Sequence, residues 1–219
     1  VKDHNRHVVK RGDLATYKGN CYLGIDAGST TTKVALAGED GELLYSYYNN
    51  NNGSPLHAVV EALHEIDAQM PKTAKIVSSC STGYGEHLVK AALNLDFGEV
   101  ETIAHYYAAA FFDPDVDCIL DIGGQDTKGI VLKSGRVMKF VMNDKCSAGT
   151  GKFLEVMTNR LGLTQKELSE LASQGKDVTI SSMCTVFAES EVISLIGKGT
   201  SREDIAYGVV ESVAVKVAQ

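Results

Sequence analysis

The chain has 219 residues, 44% of them hydrophobic and 22% charged, with a formal net charge of -7. That length buries a sizeable core as one large or two modest domains, and the ordinary apolar content excludes wholesale disorder. No basic stripe offsets the acidic balance, which argues against a nucleic-acid partner. No apolar run approaches the ~18 residues of a membrane span and no signal-type segment opens the chain, so a soluble, cytoplasmic protein is expected.

Residues 1–19 are polar without a clear period, begin with Val1 rather than Met, and carry one basic stretch diluted by Asp3. They read as a solvated linker entering from an upstream domain, which makes the chain a piece of something longer. An apolar strand is expected over residues 21–25, then a second strand, a turn centred on Gly41, and a third strand to about Tyr48. An Asn-rich turn over residues 49–52 leads to Ser54 and Pro55. These start a helix whose Leu56, Val59, Val60, Leu63 and Ile66 recur at helical spacing. Residues 75–79 read as a buried strand, residues 85–93 as a helix, and Glu101 to Phe112 as a helix crossing to the second half. There a short apolar strand over residues 118–120 opens the same pattern again, with a turn centred on Gly135. Helices are expected at residues 151–161 and 187–197, and the capping boxes Thr164-x-x-Glu167 and Thr200-x-x-Glu203 start two more at about Gln165 and Ser201. This alternation is that of an α/β protein with mixed sheets.

The two strand-turn-strand segments share one motif, Asp-x-Gly-x-x-x-Thr-Lys. It is carried by Asp26, Gly28, Thr32 and Lys33 in the first copy and by Asp121, Gly123, Thr127 and Lys128 in the second. A Gly after a strand-end Asp lets the backbone approach a ligand with its N–H groups exposed. Ser29, Thr30 and Thr31, or Gly124 and Gln125, extend the donor surface, and a strand-end carboxylate suits Mg2+ held through its waters. Two such hairpins would grip a polyphosphate from both sides. Lys33 and Lys128 either assist the phosphate charge or face solvent as strand residues.

Five cysteines, an odd number without a Cys-x-x-Cys, fit a reducing compartment rather than a disulfide framework. Cys21 and Cys118 lie in apolar strand contexts that suit small buried hydrophobes, and Cys80 at a strand end reads as structural. Cys146 and Cys184 lie in polar, small-residue turns ahead of expected helices, whose positive ends would face the thiolates.

The paired motifs resemble the phosphate loops of the actin, Hsp70 and sugar-kinase superfamily. The segments around Cys146, with Gly149, Thr150 and Gly151, and around Cys184, with Glu189 and Glu191, are similar to the cysteine motifs of a narrower group. That group comprises the activators of 2-hydroxyacyl-CoA dehydratases and the ATPase subunits of benzoyl-CoA reductase, the BadF/BadG/BcrA/BcrD family. The resemblance runs from about Cys21 to the last residue. It implies an actin-like (ribonuclease H-like) fold with two related lobes, at residues 20–103 and 104–219, clamping Mg-ATP or Mg-ADP. No Gly-Gly turn for the adenosine follows the last helix, so the second lobe is expected to be truncated and to bind nucleotide poorly. It also implies a homodimer sharing one 4Fe-4S cluster on its axis through Cys146 and Cys184, since a cubane takes four thiolates and one chain offers two. The activity implied is ATP-driven transfer of one electron, received from a donor such as ferredoxin or flavodoxin, to a partner dehydratase or reductase acting on a CoA thioester.

For hydrolysis, Asp26 and Asp121 are the expected Mg2+ organisers, and Gly149, Thr150 and Gly151 are counted with the nucleotide loops. The attacking water needs an orienting group. Glu101, opening its helix where superfamily members carry a Gln or Glu near that water, competes with Gln125 and Asp126. Two other classes stay open. One is a sugar or acyl kinase with structural cysteines, for which no acidic substrate base or sugar-binding loop is found. The other is a non-catalytic assembly module of a tandem activator, against which the intact Asp26, Gly28, Asp121, Gly123 and Gly124 count.

Overall fold

A computed structural model describes residues 9–143, 146–181 and 184–218. The chain divides into two compact units, the first ending at Pro114 and the second beginning at Asp115.

The first unit runs β1 (Gly19–Ala27), β2 (Thr31–Gly38), β3 (Leu43–Asn50), α1 (Pro55–Gln69), β4 (Ala74–Thr82), α2 (Glu86–Leu93), the two-residue β5 (Phe97–Gly98) and α3 (Glu101–Phe112). Its sheet has the order β3-β2-β1-β4-β5, antiparallel from β3 to β1 and parallel from β1 to β5. This is the expected mixed sheet. Alternation in β1 and β2 sets Cys21, Leu23, Ile25, Val34 and Leu36 on one face, and Val59, Ala62 and Ile66 of α1 pack there. Each Val, Leu or Ile side chain among them stabilises by about 1.5–3 kcal/mol when fully buried. The buried stripe of α1 includes Ala58 and Ala62, whereas Leu56, Val60 and Leu63 are only half-buried, because the small residues let the helix approach the sheet closely.

Three expectations change in this unit. Residues 10–17 are not a solvated linker. Gly12 N–H donates to Leu43 O and Leu43 N–H to Lys10 O, Leu14 enters the core, and the Tyr17 hydroxyl accepts from the Glu39 N–H. The polar composition concealed two apolar anchors, Leu14 and Tyr17; the remainder of the stretch, residues 1–8, lies outside the described residues. β4 is half-buried rather than buried, since the sheet face away from α1 is open and leaves Tyr22 and Val77 exposed. The Asn-rich turn starts later, because Asn49 and Asn50 still pair in β3 and only Asn52 and Gly53 take left-handed φ values.

The second unit contains β6 (Cys118–Ile122), β7 (Thr127–Lys133), β8 (Arg136–Asn143), α4 (Gly151–Leu161), α5 (Gln165–Ala172), α6 (Thr185–Gly197) and α7 (Arg202–Ala218). The strands form an antiparallel sheet in the order β6-β7-β8. Phe153, Met157, Leu168, Val192, Ile205 and Val209 make a separate core among the four helices. The first capping box is present in full: Thr164 Oγ1 accepts from Glu167 N–H, and the Glu167 carboxylate accepts from Thr164 N–H. The second is displaced by one residue. Ser201, not Thr200, accepts from the N–H three residues on, that of Asp204, whose carboxylate accepts from Lys176 N–H. Cys118 is the clearest correction. It is exposed, on the same face of β6 as Leu120 (53% exposed) and Ile122 (50%), because only the Ile119 and Asp121 side of this strand is partly covered.

Candidate functional site

The duplicated motif folds twice into the same hairpin. In the first copy Gly28 N–H donates to Thr31 O at 3.0 Å, and in the second Gly123 N–H donates to Asp126 O at 2.8 Å. The spacing makes the Asp and the Lys cross-strand partners, Asp26 with Lys33 and Asp121 with Lys128. Lys33 Nζ lies 2.9 Å from Asp26 Oδ2, and Lys128 Nζ lies 3.4 Å from Asp121 Oδ2 and 3.0 Å from Asp126 Oδ1. Each Lys therefore neutralises the motif's own carboxylates. Of the two loop-tip candidates for orienting water, Asp126 is engaged by Lys128 while Gln125 is exposed.

The first loop carries the sharper signs of a ligand. Asp26 Oδ1 is buried without a hydrogen-bond partner, and so is Thr32 Oγ1. An anionic oxygen in that condition suits a hydrated Mg2+, which would supply the missing donors from its waters. Ser29 and Thr30 N–H donate to nothing among the described residues. Sequence reasoning missed Gly83, which follows β4 where Thr82 is in register with Asp26. Its φ is +86°, and a Cβ there would stand 2.5 Å from Asp26 Oδ1 and 2.8 Å from Ala27 O. Only glycine lets this turn close over the carboxylate. The Ser-Thr-Gly ending of a strand was the available signal.

The second loop is anchored by the segment that follows β8. Gly151 N–H donates to Gly123 O at 2.9 Å, Lys152 N–H to Gly124 O at 2.8 Å, and Thr127 Oγ1 to Gly149 O at 3.0 Å. Thr150 N–H is also engaged, by Ser147 O. The N–H groups of Gly151 and Lys152 thus brace the loop, that of Thr150 closes its own turn, and none of the three is free to meet phosphate, whereas Gly124 and Gln125 N–H have no partner among the described residues. Glu101 stands in the first turn of α3, with a carboxylate oxygen 3.9 Å from His105 Nε2.

The two cysteine segments meet within the second unit. Ser147 Oγ and Thr185 Oγ1, each next in sequence to a cysteine, are 2.7 Å apart. Cys184 is the exposed N-cap of α6, which begins two residues earlier than expected, and Cys146 Sγ accepts from Ala148 N–H at 3.5 Å. Burial pushes the Cys21 and Cys80 thiols above their ordinary value, which favours the neutral form of both.

Twin phosphate-type hairpins on sheets of this topology define a protein of the actin-like ATPase class. Residues 23–219 match the BadF/BadG/BcrA/BcrD ATPase family, and the chain belongs to that family. It is 40% identical over 199 residues to the (R)-2-hydroxyglutaryl-CoA dehydratase activating ATPase of Acidaminococcus fermentans, covering 89% of this chain and 75% of that protein. It is also 40% identical to the activator of lactoyl-CoA dehydratase of Anaerotignum propionicum, over 88% of this chain and 74% of the relative. Among solved structures, the activator of 2-hydroxyisocaproyl-CoA dehydratase from Clostridium difficile with bound ADPNP superposes with a TM-score of 0.80 at 35% identity, over 90% of this chain and 74% of that one. The fold is accordingly α/β and actin-like. No described helix is long and apolar enough to cross a membrane.

Proposed function

We propose that this protein is an ATPase activator that uses Mg-ATP to drive one electron from a 4Fe-4S cluster, shared by two copies of the chain, onto a dehydratase or reductase acting on a CoA thioester. The relatives' activities support the coarse reading. The observation that carries the finer one is the Ser147–Thr185 contact, which draws the segments bearing Cys146 and Cys184 together at one helix terminus. Two thiolates per chain are half of what a cubane needs, so a second copy would complete the set.

Asp26 and Asp121 are the residues we assign to Mg2+, and the loops at Gly28 to Thr31 and Gly123 to Gln125 to the phosphates. The cation would neutralise charge on the phosphate oxygens. Free N–H groups of Ser29, Thr30, Gly124 and Gln125 would bind those oxygens, and the exposed Gln125 would orient the attacking water. A cavity of about 170 Å3 in the second unit is walled in part by Gly149, Phe153, Glu211 and Lys216. The cluster would supply the one-electron chemistry; Cys146 and Cys184 would hold it, with the α6 N-terminus favouring the anionic thiolate.

Iron and sulfide analysis of protein purified without oxygen, with electron paramagnetic resonance and sedimentation, tests this reading. Four irons and four sulfides per pair of chains, lost on Cys146→Ser or Cys184→Ser, are expected. Iron that persists after both cysteines are replaced, or a full cluster on a monomer, would overturn the electron-transfer assignment.

A further inference from the structure

The two phosphate loops are held by different means, and the difference singles out a residue in the Asn-rich turn. The second loop has its carbonyls satisfied by the N–H groups of Gly151 and Lys152. In the first loop the Gly28 and Thr30 carbonyls are held instead by Asn51, while Ala27 O, just before them, accepts from the N–H of Gly85, the N-cap of α2. Asn51 Nδ2 donates to Gly28 O at 2.8 Å, and Asn51 N–H donates to Thr30 O at 2.9 Å. The other end of the side chain is also fixed, with Oδ1 accepting from Gly53 N–H at 3.0 Å, and Asn51 O accepts from Ser54 N–H at 2.7 Å. Asn51 is only 4% exposed, though both its neighbours in sequence are exposed and polar. Every hydrogen-bonding group on it is used.

We infer that Asn51 is a positioning residue for the nucleotide, a latch that binds the carbonyl side of the first phosphate loop and so turns the Ser29 N–H group toward the ligand. The inference rests on the nucleotide-binding reading above. The physical reason is that a peptide plane cannot rotate its N–H without its C=O. With Gly28 O and Thr30 O both held from behind, the Ser29 and Thr31 peptide planes are fixed before phosphate arrives, and ligand binding does not have to order them. Released, Gly28 O would be free to turn toward the site, where it would repel a phosphate oxygen and displace the Ser29 N–H. A bland alternative exists, in which Asn51 is merely a turn former whose Oδ1 caps the N–H of Gly53, the usual service of an Asx turn.

Asn51→Ser separates the two, because its short hydroxyl can cap the turn, adds no charge beside the phosphates and cannot span to Gly28 O. The experiment compares wild-type and variant full-length protein by calorimetry with Mg-ATP, Mg-ADP and adenosine, and by thermal melting without ligand. The latch predicts a melting temperature within a few degrees of wild type, a Kd for Mg-ATP and Mg-ADP raised about tenfold or more, and little change for adenosine, which has no phosphate to meet the loop. Should the serine variant fail to fold, Asn51→Thr serves the same comparison, since its hydroxyl can cap the turn but cannot span to Gly28 O. Nucleotide affinities within twofold of wild type in the folded variant would overturn the latch alone. Wild-type protein that bound neither ATP nor ADP would overturn the nucleotide reading and this inference with it.

Discussion

Lys33 and Lys128 hold the same place in the two copies of the motif, yet replacing them should have very different costs. The Lys128 side chain is 7% exposed and lies between Asp121, 16% exposed, and Asp126, 32% exposed. Lys33 is 41% exposed and faces one carboxylate. Lys128→Met keeps the aliphatic stem and leaves two poorly solvated carboxylates beside each other without their cation. Breaking a buried pair from one side costs about 3–5 kcal/mol, and because Asp126 keeps part of its hydration the lower figure, about 3 kcal/mol, applies. Lys33→Met removes a pair of the half-exposed kind, a contribution of at most about 1 kcal/mol. With a urea slope of about 2 kcal/mol/M, the midpoints should fall by roughly 1.5 M and by less than roughly 0.5 M. Far-UV circular dichroism suits the assay, as the chain has no Trp. Equal shifts for the two variants, or a larger one for Lys33→Met, would refute the assignment of Lys128 as a buried structural cation.

Gly83→Ala places a Cβ 2.5 Å from Asp26 Oδ1 at a φ of +86° and should weaken Mg-nucleotide binding at least tenfold by calorimetry, through displacement of the carboxylate. Thr164→Ala and Ser201→Ala should each cost about 1 kcal/mol in thermal melts, and Thr200→Ala close to nothing, because the second helix is capped from Ser201. Hydrogen bonds from Thr164 hold the Glu167 carboxyl below the usual glutamate range. Its contribution is therefore present above that range and lost as pH falls through it, so the stability gap between wild type and Thr164→Ala should narrow in acid. Cys118→Ser should leave both iron content and melting temperature unchanged, whereas Cys21→Ser should leave iron alone but lower stability by about 1–3 kcal/mol by burying a hydroxyl.

What was legible in the sequence was whatever short-range chemistry decides. The motif gave both hairpins and their register, because Asp and Lys at that spacing fall opposite one another once a tight Gly turn is made. The Thr164 capping box and the Glu101–Phe112 helix were equally local. Long-range geometry was not legible. Apolar residues around Cys118 could not tell that one face of β6 is left open, and nothing near Gly83 pointed to Asp26, which lies on a parallel strand far away in sequence. Asn51 hid within an Asn run whose other members are exposed, and its burial and its bond to Gly28 O, which separate it from them, arise only in the fold. Gly149 and Gly151 hydrogen-bond to the second hairpin, but whether the N–H groups of this segment face phosphate or the loop carbonyls is a matter of docking angle that composition does not encode.

Thr127 is where the phosphate loop and the cysteine segment are joined. Its counterpart Thr32 has a buried hydroxyl without a partner, whereas Thr127 Oγ1 donates to Gly149 O at 3.0 Å. Gly149 lies between Cys146 and Gly151, and the same segment is held at its start by Asn143 Nδ2, which donates to Cys146 O and Ala148 O at 3.2 and 3.3 Å. At its far end Gly151 N–H is bound to Gly123 O. A displacement of the second loop on nucleotide binding would thus be passed to the Cys146 backbone by hydrogen bonds at both ends of one short segment, a contiguous physical route. Thr127→Val removes the hydroxyl and keeps the shape. If Cys146 holds the cluster, the rate at which a chelator strips iron should differ between the ADP-bound protein and one bound to a non-hydrolysable ATP analogue. In Thr127→Val that difference should shrink, with nucleotide affinity within about threefold of wild type. A chelation difference as large as in wild type would show that Thr127 carries none of the coupling.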